Sequence, residues 1–312
     1  MTNSSRFVGT IVLGLGTVCL GTCTPTSNSV VSTPSGYSET DIAVDLDRMA
    51  DQFLNVQELD PFVYDLTEDE AYRWQTEFIA ALQPSLGRIV GYKTGGHDAG
   101  PPNPNFPPQG IRGVLLQGMV HPSGASVALN DAVWGFLEAD FAVRVGDESI
   151  NTAETDLELL ASLDAVIPLI EIPDPAFRNN QRSPTSSIVT NMASRYAFVG
   201  DPILTKPTVA WIEALNTMTF AVHDEHGTEV GSGTLDGHYQ PLTVVRWLRD
   251  HLRTFGRQLE SGQLLSLGSI RINRQLKRGS PQGGPAYSAS QYRLSYYGLS
   301  EDASTVVVTI ER

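Results

Sequence analysis

The stretch Phe136-Leu-Glu-Ala-Asp-Phe-Ala-Val-Arg-Val145 limits the fold most. Leu137, Ala139, Phe141, Val143 and Val145 form an unbroken apolar set of period two, which predicts a strand with one buried face. Glu138 and Asp140 then project together from the opposite face, with Phe136 and Ala142 beside them. Two carboxylates side by side on a partly apolar face repel one another and lose hydration unless positive charge lies between them. A divalent cation is the simplest such charge.

A third acid lies in Ala165-Val-Ile-Pro-Leu-Ile-Glu-Ile-Pro173, where every neighbour of Glu171 is apolar or proline. Such a run predicts a strand buried on both faces, where an unpaired glutamate is costly and rare. Three carboxylates with no cysteine or histidine nearby describe an all-oxygen site, suited to Mg²⁺, Mn²⁺ or Ca²⁺ rather than zinc. Spacing alone leaves a second reading open. In it Glu138 and Asp140 line a solvated strand face, and Glu171 caps a strand end or pairs with an arginine.

Charge narrows the partners. The balance of 21 basic and 35 acidic residues gives a net charge of −14, with no basic stripe to displace counterions from phosphates, which excludes nucleic acid. Arg271, Arg274, Lys277 and Arg278 form one short basic cluster beside a Gly/Pro loop, read as solvated surface. At 312 residues with 41% apolar content the chain can build one large domain or two modest ones. Its two cysteines, Cys19 and Cys23, lie near the N-terminus, so the folded body has no disulfide framework, thiolate metal site or cysteine nucleophile.

Arg6 followed by the apolar stretch from Phe7 to Leu20 has the shape of a secretory signal and is short for a membrane span. Leu20-Gly-Thr-Cys23 resembles a lipoprotein cleavage box, with Thr22 in place of the usual small residue, which makes Cys23 the candidate lipidation site. The expected organisation is a signal at 1–23, a Ser/Thr/Pro-rich tether at 24–40 and a single domain at 41–312, its first part (41–87) helical. Export to the periplasm or to a membrane surface follows, with membrane contact only through the lipid anchor.

Helical spacing marks 41–53 and 68–82, the second with Thr67 as N-cap and Pro84 and Gly87 as stop signals. Residues 88–93 form a short strand ending at Lys93, followed by a proline-rich loop, 95–110, read as a tolerated surface loop more than a lid. Further strands are expected at 113–116, 136–145, 165–172, 217–223, 229–234, 264–270 and 305–310. Helices are expected at 155–163 and 242–255, the latter with Arg246, Arg249, Asp250 and Arg253 turned mostly to water. His223-Asp-Glu-His-Gly227 reads as a hairpin tip. Among the six histidines there is no H-E-x-x-H pair, and the chain has no G-x-S-x-G elbow, Walker loop or dinucleotide fingerprint.

Several segments, taken in order, resemble the 2-keto-4-pentenoate hydratase branch of the fumarylacetoacetate hydrolase superfamily. They are Leu66-Thr-Glu-Asp-Glu-Ala-Tyr72 with Gln75, Gly91-Tyr-Lys-Thr-Gly95, Gly113-Val-Leu-Leu116, Glu138-Ala-Asp140, Leu169-Ile-Glu171-Ile-Pro-Asp174, Asn191 with Ser194, Gly231 to Leu242, and Gly268-Ser269. The resemblance runs from about residue 45 to the C-terminus. It implies an α+β fold, a highly twisted and mostly antiparallel β-roll with helices around it. It also implies a homo-oligomer whose partner is a small-molecule 2-oxo acid.

By that resemblance Glu138, Asp140 and Glu171 bind Mg²⁺ or Mn²⁺. Lys93 and Ser194 are catalytic, and Lys93, Asn191, Ser194 and Ser269 bind substrate. A 2-oxo acid would chelate the ion through its carboxylate and keto oxygens, and the enolate would be stabilised. The implied reaction is hydration of a 2-hydroxy-2,4-dienoate. The alternatives are decarboxylation or tautomerisation of a 2-oxo acid on the same site, a non-catalytic exported binding protein, and a structural envelope component. The sequence departs from the family pattern at Asp140, one methylene shorter than the usual glutamate. It departs again at Gln117-Gly118, where an aspartate is usual, and in its export signal.

Overall fold

The computed structural model describes residues 37–97, 110–235, 240–268, 273–276 and 289–312, within one compact unit from Tyr37 to Arg312. Cys23, the signal and most of the tether, the 98–109 part of the proline-rich loop, Ser269, Arg271, Lys277 and Arg278 lie outside the described residues. Among the described residues no helix is long and apolar enough to cross a membrane.

Helix α1 (Glu39–Leu54) begins at Ser38, which forms a reciprocal capping box with Asp41, and buries Ile42, Leu46, Met49, Ala50 and Phe53 along one face. Helix α2 (Glu68–Leu86) begins at Thr67 as expected, its amide donating to the Glu70 carboxylate at 2.8 Å. It does not stop at Pro84. The missing N–H would have bonded the carbonyl of solvent-facing Ala80, so water can serve that carbonyl and the helix continues to Gly87, whose φ of +81° ends it.

The remaining elements are β1 (Ile89–Gly95), β2 (Ile111–Leu116), β3 (Val120–Pro122), β4 (Ser126–Ala128), β5 (Phe136–Val145), α3 (Asp156–Ala161) and β6 (Leu163–Ile172). After these come α4 (Pro184–Val189), β7 (Tyr196–Val199), β8 (Ile203–Leu204), α5 (Val209–Thr217), β9 (Thr219–Asp224), β10 (Glu229–Thr234) and α6 (Pro241–Thr254). Strands β11 (Leu264–Ser266), β12 (Asn273–Gln275), β13 (Gln291–Tyr297) and β14 (Ser304–Glu311) complete the set. Among the described residues nine strands form one sheet, in the order β2-β1-β11-β5-β6-β7-β3, with β12 paired to β5 and β8 to β6. Five form a second, in the order β10-β9-β13-β14-β4. Most pairings are antiparallel, and β1·β11, β3·β7 and β4·β14 are parallel. The α+β β-roll is therefore what the chain forms.

Two expectations need correction. Strand β5 is buried on both faces, not one, with only Glu138 and Arg144 keeping partial exposure. Its second face is covered by the curled sheet itself, with Ala142 packed among Leu115, Leu169 and Ala197 and Asp140 against Ser266 and the Gly268 amide. The smaller sheet packs on the first face, where Phe141 meets the ring of Tyr296, whose hydroxyl donates to the Asp140 carbonyl at 2.8 Å. Arg249 on α6 is buried rather than solvated, and its guanidinium donates to the carbonyls of Ile150 and Ala153. Those carbonyls lie in and just after a 3₁₀ turn that periodicity along α6 cannot reveal. Strands β7 and β13 and helix α5 also escaped the periodicity reading; β13 alternates polar and aromatic residues, and both its faces are set by neighbours.

Candidate active site

The acids meet through strand register. Glu138 on β5 lies directly opposite Glu171 on β6, and Asp140, two residues on, shares that face. Ala142, next in the same row, is opposite Ser266 on β11, and Ser266 is opposite Lys93 on β1. One face of the larger sheet thus carries Lys93, Ser266, Asp140, Glu138 and Glu171.

Lys93 forms an ion pair with Glu171, both side chains almost fully buried. The two residues are three strands apart across the sheet and four residues apart along it. In a flat sheet that is about 14 Å by 13 Å, farther than two side chains can bridge. The contact therefore exists because the sheet curls. Asp140, with no exposed surface, accepts from the Ser266 hydroxyl at 2.5 Å and from the Gly268 amide at 3.1 Å. Ser266 is a site residue that sequence reading missed; its only signal was the neighbouring Gly268-Ser269 pair.

Electrostatics follow from burial. Loss of solvation, aided by the charge on Glu171, pushes the Glu138 carboxyl up to about 8 and that of Asp140 to about 7, with Lys93 opposing both. One lysine does not neutralise two buried acids and a third that is half-buried beside them. That donor chemistry fits a hard dication. The acids as they stand are turned to Lys93, Ser266 and the Gly268 amide, and among the described residues no three His, Cys, Asp or Glu side chains are gathered closely enough to hold an ion. Coordination requires them to exchange those partners.

Gly113 on β2 lies opposite Lys93, and a Cβ there would fall 3.0 Å from the lysine Cγ and 3.1 Å from both oxygens of Asn191. Asn191 holds this arrangement. Its amide oxygen accepts from the Val114 N–H at 2.6 Å and its amide nitrogen donates to the Val114 carbonyl at 2.9 Å. Asn191, Met192 and Ala193 are consecutive left-handed residues, with φ of 59°, 54° and 58°, a strained path that the Asn191 bonds tie to β2. Ser194, buried, follows this turn, and its amide donates to the Asn191 carbonyl. The Asn191→Ala variant orphans two buried backbone groups and is expected to lose about 2–4 kcal/mol in urea unfolding. A loss below about 1 kcal/mol would mean that the turn is held by something else.

Gln117 is exposed and follows the far end of β2, about 13 Å along the strand from Gly113. Asp174, from the same run as Glu171, serves the scaffold. Its carboxylate accepts from the Val133 and Trp134 amides at 2.9 and 2.7 Å and pairs with buried Arg195 at 2.9 Å.

A curled, mostly antiparallel sheet with helices around it, bearing acids on facing strands, defines a fumarylacetoacetate hydrolase-type fold. The chain superposes on 4-oxalocrotonate decarboxylase from Pseudomonas putida G7 complexed with magnesium and adipate, with a TM-score of 0.67 at 19% identity, covering 88% of this chain and 98% of that one. The complex of that enzyme with calcium and acetate gives 0.68 at 18%, with the same coverage. Fumarylpyruvate hydrolase from Pseudomonas aeruginosa in complex with Mn²⁺ and pyruvate gives 0.47 at 13%, covering 72% and 89%. At these identities the likeness to the decarboxylase establishes the fold. No protein-family model matches the chain, and no curated protein matches it in sequence.

Proposed function

We propose that the chain is a divalent-metal-dependent enzyme acting on a small 2-oxo acid or its enol. One observation carries this reading: three acids share a buried sheet face with a single paired lysine, leaving negative charge that a dication would balance. Glu138, Asp140 and Glu171 would hold Mg²⁺ or Mn²⁺, and the ion, when bound, supplies Lewis acidity beside the 2-keto oxygen. Lys93 sets an ammonium against the developing oxyanion and holds a proton within reach of the substrate. Asn191 serves through β2, which its amide holds, while Ser194 and Ser269 are assigned to the substrate by their place in the motif order.

Two reactions suit these groups. Hydration of a 2-hydroxy-2,4-dienoate, through ketonisation and then addition of water, needs a further group to move the proton of the attacking water. Decarboxylation or tautomerisation of a 2-oxo acid does not. Gln117 favours the second class, because it offers no carboxylate and is exposed beyond the end of β2. The fold shared with a decarboxylase supports the same choice. Turnover of oxaloacetate and of 2-hydroxypenta-2,4-dienoate should be measured with and without Mn²⁺. Metal-dependent release of CO₂ from oxaloacetate with the dienoate untouched is expected. Consumption of the dienoate instead would restore the hydratase reading. If neither reacts and calorimetry still detects oxalate, the chain is a binding protein.

A further inference from the structure

Ser266 shares the site face, yet the proposed chemistry gives it no task. It stands in the strand row between Lys93 on β1 and Ala142 on β5, and pairing on both sides fixes its backbone. The residue is buried, with 1% of its surface exposed. Its hydroxyl donates to Asp140 Oδ2 at 2.5 Å. Oδ1 of the same carboxylate accepts from the Gly268 amide at 3.1 Å and from the Phe141 amide at 2.5 Å. Asp140 is thus committed to protein donors at both oxygens, and among the described residues the three acids are not gathered around one point.

Two constraints decide what becomes of Ser266 when a dication is held. An aspartate carboxylate stands one methylene from the backbone, so the rotation that turns it toward Glu138 and Glu171 carries Oδ2 away from the serine. A glutamate has a further torsion with which to relax that conflict, and this chain has none at position 140. Ser266 is then left with an O–H donor in a site closed to water, and such an orphan is costly. Its neighbours offer no acceptor: the Lys93 ammonium only donates, Ala142 is apolar, and the other two acids are turned to the ion. The acceptor has to arrive with the ligand, as an oxygen of the anion that the ion and Lys93 together attract.

We infer that Ser266 is a substrate-binding residue that trades partners: it latches Asp140 in the metal-free chain and donates to an oxygen of the 2-oxo acid in the loaded one. This rests on the dication and 2-oxo acid reading proposed above. Removing the hydroxyl should therefore act in opposite directions on the two ligands. Calorimetry on the chelator-treated full chain, first with Mn²⁺ alone and then with oxalate on the Mn²⁺-loaded chain, reads both. In Ser266→Ala, Mn²⁺ is expected to bind about tenfold tighter, since it no longer competes with a charge-assisted hydrogen bond, and oxalate about tenfold weaker. Ser266→Thr, which keeps the hydroxyl, should stay close to the native chain for both. Ser266→Cys fills the same space with a poor donor and should follow the alanine variant, and it decides the matter if the alanine variant does not fold. Mn²⁺ and oxalate binding weakened together, in variants that melt normally, would overturn the trade, since Ser266 would then support Asp140 as a ligand. Unchanged oxalate affinity would overturn it as well, because water would be taking the released hydroxyl. A native chain that binds Mn²⁺ but no oxalate loses the 2-oxo acid reading, one that binds no Mn²⁺ loses the dication site, and this inference goes with either.

Discussion

Lys93→Met will destabilise the metal-free protein far more than Glu171→Gln, although the two changes remove opposite halves of one ion pair. Removing the lysine leaves Glu138, Asp140 and Glu171 together in the sheet interior without their paired cation. Removing the charge of Glu171 leaves the lysine beside two other acids that can take it. Breaking a buried pair so that charge is stranded costs about 3–5 kcal/mol, and the lysine variant should show that loss at pH 8 in urea unfolding. The glutamine variant should lose less than half as much. Because the stranded carboxylates escape their predicament by binding protons, the deficit of Lys93→Met should shrink at pH 5. Equal losses in the two variants, or a deficit indifferent to pH, would show that the acids do not share one electrostatic environment. Turnover with Mn²⁺ should fall at least a thousandfold in Lys93→Met, the scale of a group that acts both on charge and on a proton.

The second large effect is a stability that declines with pH and is restored by metal. Glu138 and Asp140 titrate in the folded chain at about 8 and about 7, above their ordinary values of 4.5 and 3.8. The folded state therefore binds more protons than the unfolded one between those limits. Stability is complete below about pH 4 with respect to these groups and is lost as pH rises, by up to about 1.4 kcal/mol per pH unit for each group, until about pH 8. Acid denaturation through other carboxylates limits the useful range to pH 5–8. Thermal melting of the chelator-treated protein should drop across that range, and millimolar Mg²⁺ or Mn²⁺ should raise the melting temperature more at pH 8 than at pH 5. A melting temperature that rises with pH, or a metal shift that is the same at both values, would refute a dication site made of these acids.

Much of the fold could be read because its long elements carry local signals strong enough to survive tertiary context. Thr67 with Glu70 is a capping pair whose geometry is contained within one turn, and α2 begins where Thr67 puts it; Ser38 with Asp41 caps α1 in the same way, two residues ahead of the start that helical spacing marks at 41. The run around Glu171 is apolar on both sides because both sides are covered, so it reads as a fully buried strand. By contrast, β5 alternates like a half-exposed strand because its second face holds acids, and the cover over that face comes from distant strands of the same curled sheet, through Leu115, Leu169 and Ser266. Alternation reports polarity, not exposure. Arg249 was misplaced for the same reason, since its carbonyl partners belong to a loop a hundred residues upstream on the chain.

The chain by itself determined the acid inventory, the apolar runs that hold it and the start of α2, because each depends on residues close together in sequence. Strand register and sheet curl were settled only in three dimensions. Register set Glu138 against Glu171. Curl brought Lys93 across two intervening strands to meet them and turned Asp140 to Ser266 and the Gly268 amide. The physical reason is that a carboxylate's neighbours, and hence its proton affinity, are fixed by which strands pair and how far the sheet bends, and neither quantity is encoded in any single stretch of residues.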